Sequence, residues 1–305
     1  MLAGSSLGKA LSTAVLVVAL YPAASLFADE VKAPAADDPS REAVERGDAA
    51  WQARAEGSSG EKASPKSVDA AIAAYREALA KSPDSLEARW RLMRALYFKG
   101  EYTTDDIAEK KTIFDEGKKV GEDALAIVRR QAAAASKKST EKASPVELAP
   151  LLAGRRDVLA SFFWASVDWG KWALAFGKSA AVKQGAAAKI RDYAAAVIAM
   201  DPAFEEAGGY RVLGRLHHQT PAVPFFTGWA SRSDALRNLK LAVKTNPRNF
   251  INRLYLAEAM WDYEKANREQ ARAMLEAMIA DTPSPDFPVE DRKTQKEARA
   301  LLALW

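Results

Sequence analysis

Three stretches of this chain place residues at the same steps of four, three and five: Ala71, Tyr75, Ala78 and Pro83; Ala235, Leu239, Ala242 and Pro247; Ala271, Leu275, Met278 and Pro283. Steps of four and three keep the first three positions on one face of an α-helix. The small residue lets that helix lie close against the one before it, and the larger residue four on fills the groove between them. Proline then turns the chain into the next unit, because it cannot continue a helix. A single helix pair cannot bury its apolar face, so such pairs stack, and the product is a surface that usually binds rather than catalyses.

This is the second-helix signature of a tetratricopeptide repeat. A relaxed form of the first-helix pattern, W-x2-L-G-x2-Y, falls at Tyr210, Leu213, Gly214 and His217. Pro202, Pro247 and Pro283 stand 45 and 36 residues apart, where a regular array would repeat at about 34. The expected fold is therefore all-α, a degenerate tetratricopeptide-like superhelix of roughly 10–11 helices, with loops carrying the irregularity.

The 305 residues are 49% hydrophobic and 28% charged, enough to bury a core. A net charge of +4, with basic residues interspersed among acidic ones, predicts no nucleic-acid partner. Cysteine is absent, which removes disulfides, thiol catalysis, Cys-ligated zinc and a lipid-modified cysteine together. Residues 1–28 read as an export signal: Lys9, an apolar run from Ala10 to Leu20, Pro22, and small residues ending at Ala28 before Asp29. Cleavage after Ala28 is the first choice; cleavage after Ser25 or retention as an anchor are the alternatives. The expected location is the periplasm. Residues 29–40, rich in Pro, Ala and Asp, read as a tether, and 41–305 as a single helical domain with a flexible linker at about 131–145.

The most aromatic helix runs from Arg155 to Lys178. Phe162, Ala165, Trp169, Trp172 and Phe176 share one face there, flanked by Phe163 and Trp164. A thick core helix and the wall of a ligand cavity are both open readings. The loop from His218 to Arg232 carries Pro221, Pro224, Phe225, Phe226, Gly228 and Trp229, and its rings should pack back on the repeats or cover a cavity. Candidates for a cavity lining are Trp164, Trp169, Trp172, Tyr210, Arg211, His218, Phe225, Phe226 and Trp229, with Arg211 or Arg215 placed to meet a ligand carboxylate. Asn252 and Glu258, six apart on a later helix, anchor a helix end or face the aromatic loop.

Catalytic signatures fail on context. Gly4, Ser6 and Gly8 satisfy G-x-S-x-G but lie in the leader, and Gly177, Lys178 and Ser179 end like a P-loop with no strand before them. His217 and His218 are adjacent, about 100° apart on a helix, and make a poor metal pair. No catalytic residue, metal or cofactor is expected. Gly117 and Gly121 form a G-x-x-x-G among charged neighbours, which points to close packing of soluble helices.

From about Asp157 to Glu258 the order of pieces resembles the T-component family of tripartite ATP-independent periplasmic (TRAP) transporters. Those pieces are Phe163 to Trp172, Asp201-Pro202, Gly208-Gly209-Tyr210-Arg211-Val212-Leu213-Gly214-Arg215, the Pro221 to Gly228 loop, Ala235 with Ala242, and Asn252 to Glu258. The resemblance implies a periplasmic helical repeat protein that associates with a substrate-binding component and presents an apolar cavity or pore; the expected function is an accessory role in solute uptake, binding a partner protein and an apolar or carboxylated ligand. Self-association is a further expectation. The chain departs from that pattern in lacking the lipoprotein cysteine. The alternative is a general repeat scaffold for envelope assembly, with no small-molecule ligand and wholly structural aromatics.

Overall fold

The computed structural model describes residues 38–136, 139–221 and 227–305. Among these are thirteen α-helices: α1 Arg41–Gln52, α2 Pro65–Lys81, α3 Leu86–Tyr102, α4 Ile107–Ser136, α5 Pro145–Leu148, α6 Arg156–Phe176, α7 Lys178–Lys183, α8 Ala186–Met200, α9 Phe204–Gln219, α10 Arg232–Thr245, α11 Phe250–Tyr263, α12 Arg268–Ala280 and α13 Pro288–Leu304. The fold is an all-α helical repeat. A helix restarting at Pro145 was expected and is the short α5, whereas the short α7 was not; without these two, eleven helices remain. The export signal and most of the tether lie outside the described residues.

Each long helix packs on the next, α1 on α2, α2 on α3, α3 on α4, α4 on α6, and so through α8 to α13, as stacked hairpins must. The recurring spacing supplies the seams. Ala71, Tyr75, Ala78, Ala235, Leu239, Ala242, Ala271, Leu275 and Met278 are all at 0% exposure, and Pro83, Pro247 and Pro283 follow the ends of α2, α10 and α12. Gly214 is buried where a Cβ would meet the Leu239 side chain at 2.7 Å, so α9 and α10 approach closely, with Leu213 half-buried beside it. Side-chain caps start the helices: Ser85 accepts from Ala88 N, and Asn249 from Asn252 N. For α10 the cap is Ser231, accepting from Asp234 N. Helix α4 does not fray at Gln131 but continues to Ser136, through four alanines, the strongest helix formers. Beyond it, Thr140 donates to the Arg129 carbonyl and Arg129 to that of Ala143, fixing the chain as it enters α5.

The α4–α6 seam is unusually close. Gly117 faces Asp168 and Gly121 faces Ala165; a Cβ at Gly117 would stand 2.6 Å from the carboxylate. Asp168 is wholly buried and neither oxygen has a hydrogen-bond partner. Burial alone pushes its pKa far above the usual aspartate range, favouring the neutral acid.

Helix α9 begins in a left-handed turn. Glu205, Glu206 and Ala207 have φ of 48°, 56° and 66°, a region that costs side-chain-bearing residues about 1–3 kcal/mol each. Arg211 donates to the Glu205 and Glu206 carbonyls at 3.2 and 3.3 Å, and Asn252 donates to the Glu206 carbonyl at 3.0 Å. These bonds occupy carbonyls that a regular helix would have used.

The last helix returns to the first pair. Arg54, in the turn after α1, donates to Glu290 at 3.2 Å and to the Asp286 carbonyl, and Lys296 pairs with Glu61 at 2.5 Å. Gln295 holds α13 in place by donating to the carbonyls of Ile279 and Asp281 at the end of α12, at 3.1 and 2.9 Å.

Candidate functional site

Trp90, Arg94, Tyr97 and Glu101 step by four, three and four along α3 and form its inner face. Tyr97 packs on Trp164 of α6 with ring centroids 5.6 Å apart, and its hydroxyl lies 3.2 Å from that of Tyr102. Glu101 accepts from Lys171 of α6 at 2.6 Å and pairs with Lys293 of α13 at 2.8 Å. Burial pushes the Glu101 carboxyl up, but the two ammonium groups outweigh it and hold the pKa at about 2. Lys171 shows the reciprocal effect: burial lowers it, Glu101 more than restores it, and the ammonium titrates above the usual lysine range. Ile251, Leu254 and Tyr255 of α11 complete the surroundings. They enclose a cavity of about 20 Å³, room for about one water.

A second group lies between α9 and α11. Arg215 pairs with Glu258 at 2.7 Å, stacks over Tyr255 at 4.3 Å and reaches His218 Nδ1 at 3.2 Å. An arginine can only donate, so His218 Nδ1 accepts and its Nε2–H donates to Asp262 at 2.8 Å. Both ring nitrogens are thus engaged, and neither lone pair is open to a metal. Among the described residues no group of three or more His, Cys, Asp and Glu converges as a metal site. Asn252, at 0% exposure, accepts from Arg211 at 3.0 Å and donates to the carbonyls of Glu206 and Ala242, so it anchors the start of α9 and the end of α10. His217 accepts from Ser231 N at 3.1 Å and meets Trp229 edge-on; burial lowers its pKa.

The structure separates the aromatic candidates. Trp169 and Trp172 lie in the α4–α6 seam with Lys118 over both rings at 5.0 and 4.9 Å, and Trp172 donates to Asp115 at 3.0 Å. Trp164 turns the other way, toward Tyr97. Trp229 lies at the foot of α9 with Arg191 over its ring at 5.0 Å, and Tyr210 is half-buried on α9. Phe225 and Phe226 lie outside the described residues. Arg211 and His218 serve the α9–α11 contact, and none of the described candidates lines the small cavity at Glu101.

A third arrangement escaped the sequence reading. Three guanidinium groups alternate with two indoles. Arg54 lies 4.5 Å over Trp51, Arg94 is 4.1 Å over Trp51 and 4.8 Å over Trp90, and Arg91 is 4.3 Å over Trp90. The outer two have carboxylate partners: Arg54 has Glu290, while Arg91 has Asp48 at 2.7 Å and Glu87. Arg94, between them, is partly exposed and its Nε has no partner. The ionisable groups that reach Arg94 (Tyr75, Glu205, Arg91 and Asp48) act through space. The sequence signal is the run Trp90-Arg91-Leu92-Met93-Arg94, which repeats arginine about one helical turn beyond a tryptophan.

A model of the family described as regulator of microtubule dynamics protein 1-3 matches residues 51–138. The matched segment begins at Trp51 and runs through α2, α3 and α4. No curated protein matches. This overturns the resemblance to the TRAP T-component family, and with it the expected role beside a transporter's substrate-binding component. Several of the pieces that suggested it, the glycines of α9 among them, are positions that helix packing itself demands. Gly208, for example, leaves room for the Phe163 ring, which a Cβ would meet at 2.3 Å. Such residue types recur wherever helical hairpins stack closely.

Proposed function

We propose that this chain is a non-enzymatic helical-repeat protein that works by holding a protein partner against the inner face of its helices. The observation that carries this reading is how the polar groups of that face are used. Glu101, Lys171, Lys293, Arg215, Glu258 and His218 each bond to a neighbouring helix, so these groups join helices to one another. The matched family is named for regulating microtubule dynamics. Likeness over α2, α3 and α4 supports a role exerted on another protein.

The test is partner capture by the tagged full-length chain, with co-sedimentation on polymerised tubulin as a directed arm. We expect a stoichiometric partner that is lost on changing the inner face, as in Tyr97→Glu, and kept on changing Arg76→Ala. Capture indifferent to both substitutions overturns the reading. An exported location, from the signal-like residues 1–28, belongs to the same proposal. Cell fractionation with N-terminal sequencing of the mature chain distinguishes it from a cytoplasmic one able to meet microtubules.

A further inference from the structure

In the alternating stack of Arg54, Trp51, Arg94, Trp90 and Arg91, the flanking guanidiniums are each neutralised by carboxylates of this chain, and the middle one is not. Indoles approach Arg94 on two sides, at 4.1 and 4.8 Å, and its Nε is buried, which leaves the outer edge of the guanidinium, with its two Nη groups, for recognition. A planar carboxylate meets such an edge with two parallel hydrogen bonds. We propose that Arg94 is the recognition site for a carboxylate of a partner peptide, either an acidic side chain or a free C-terminus. This rests on the protein-binding reading above.

Three further facts agree. Arg94 shares the inner face of α3 with Tyr97 and Glu101, where the neighbouring helices converge. The acids that reach it through space, Glu205 and Asp48, would repel a doubly charged phosphate more than a singly charged carboxylate. Burial without a bonded anion pulls the guanidinium pKa down, a cost that a docked carboxylate would relieve. Glu205 is the intramolecular competitor, and its charge should hold affinity in check.

The test is a fluorescence titration of the full chain, with Trp51 and Trp90 as reporters. Three synthetic peptides serve as probes: acetyl-pentaglutamate amide, acetyl-pentaglutamine amide, and acetyl-pentaglutamine with a free C-terminus. We expect at least one carboxylate-bearing peptide to bind and the pentaglutamine amide not to. Which of the two binds tells side chain from C-terminus. Arg94→Lys keeps the charge but loses the fork, and should weaken binding about tenfold or more; Arg94→Gln should abolish it. Glu205→Gln should tighten it, and the surface control Lys66→Gln should leave it unchanged.

Circular dichroism checks each variant, and Arg94→Lys carries the test if Arg94→Gln does not fold. Equal binding of the pentaglutamine amide, undiminished binding by Arg94→Lys, or no binding of either carboxylate peptide overturns the proposal. A captured partner retained in full by Arg94→Lys also overturns the Arg94 site, while leaving the protein-binding reading intact. Arg94-dependent peptide binding in a chain that captures no partner does the reverse.

Discussion

Glu101, half-buried, and Asp168, fully buried, are carboxyls on helices that pack against each other, α3 and α6, yet they are driven in opposite directions. Glu101 sits between Lys171 and Lys293 and stays ionised down to about pH 2. Asp168 faces a glycine and tryptophan-rich packing, has no bonded partner, and stays protonated far above the usual range. Burial raises both carboxyls; the partner decides which one keeps its charge. The inner face has therefore spent its charges on joining helices, whereas the seam behind it tolerates an uncompensated polar group in return for close approach.

The largest way to break this contrast is to remove the shared anion. Glu101→Gln leaves two half-buried ammonium groups facing a neutral amide and should cost about 1–3 kcal/mol, read as a lower urea midpoint. The opposite sign is expected at Asp168. Asp168→Ala removes an unsatisfied buried group and should raise stability at neutral pH by about 1–3 kcal/mol.

That substitution also sharpens the pH comparison. A raised folded pKa makes the native state bind the extra proton, so the Asp168 term lowers stability as pH rises from the ordinary value of 3.8 toward the folded one. The Glu101 term runs the other way: it is complete above 4.5 and is lost as pH falls toward about 2. Urea melts at pH 4.5 and pH 7 should accordingly show a fall with rising pH in the wild type that shrinks in Asp168→Ala. An unchanged slope would mean that the Asp168 carboxyl reaches water. The smallest effect is expected at the exposed Arg76–Glu116 pair, 2.7 Å apart on α2 and α4, where Arg76→Ala should cost less than about 1 kcal/mol.

The frame of the molecule was legible because its signals are local. The alanines, Tyr75 and Leu239 announce a seam within a few residues, and all of them are buried. The close packing expected of Gly117 and Gly121 is likewise found, against α6. The inner face was not legible. Glu101 bonds to Lys171, 70 residues away, and no local periodicity records that meeting. Aromatic content misled for a related reason: steps of three and four place rings on a helix face, but what lies opposite that face is set by tertiary packing. Trp169 and Trp172 met α4, and Trp164 met α3.

An open stack of repeats frays from its ends, since the outermost unit has a neighbour on one side only. Here Arg54 and Glu61, next to the first helix, are bonded to Glu290 and Lys296 on the last. Terminal amides in α1 and α13 should thus exchange with solvent together rather than independently. Lengthening the array by an inserted repeat, harmless in an open solenoid, would instead pull these two ends apart.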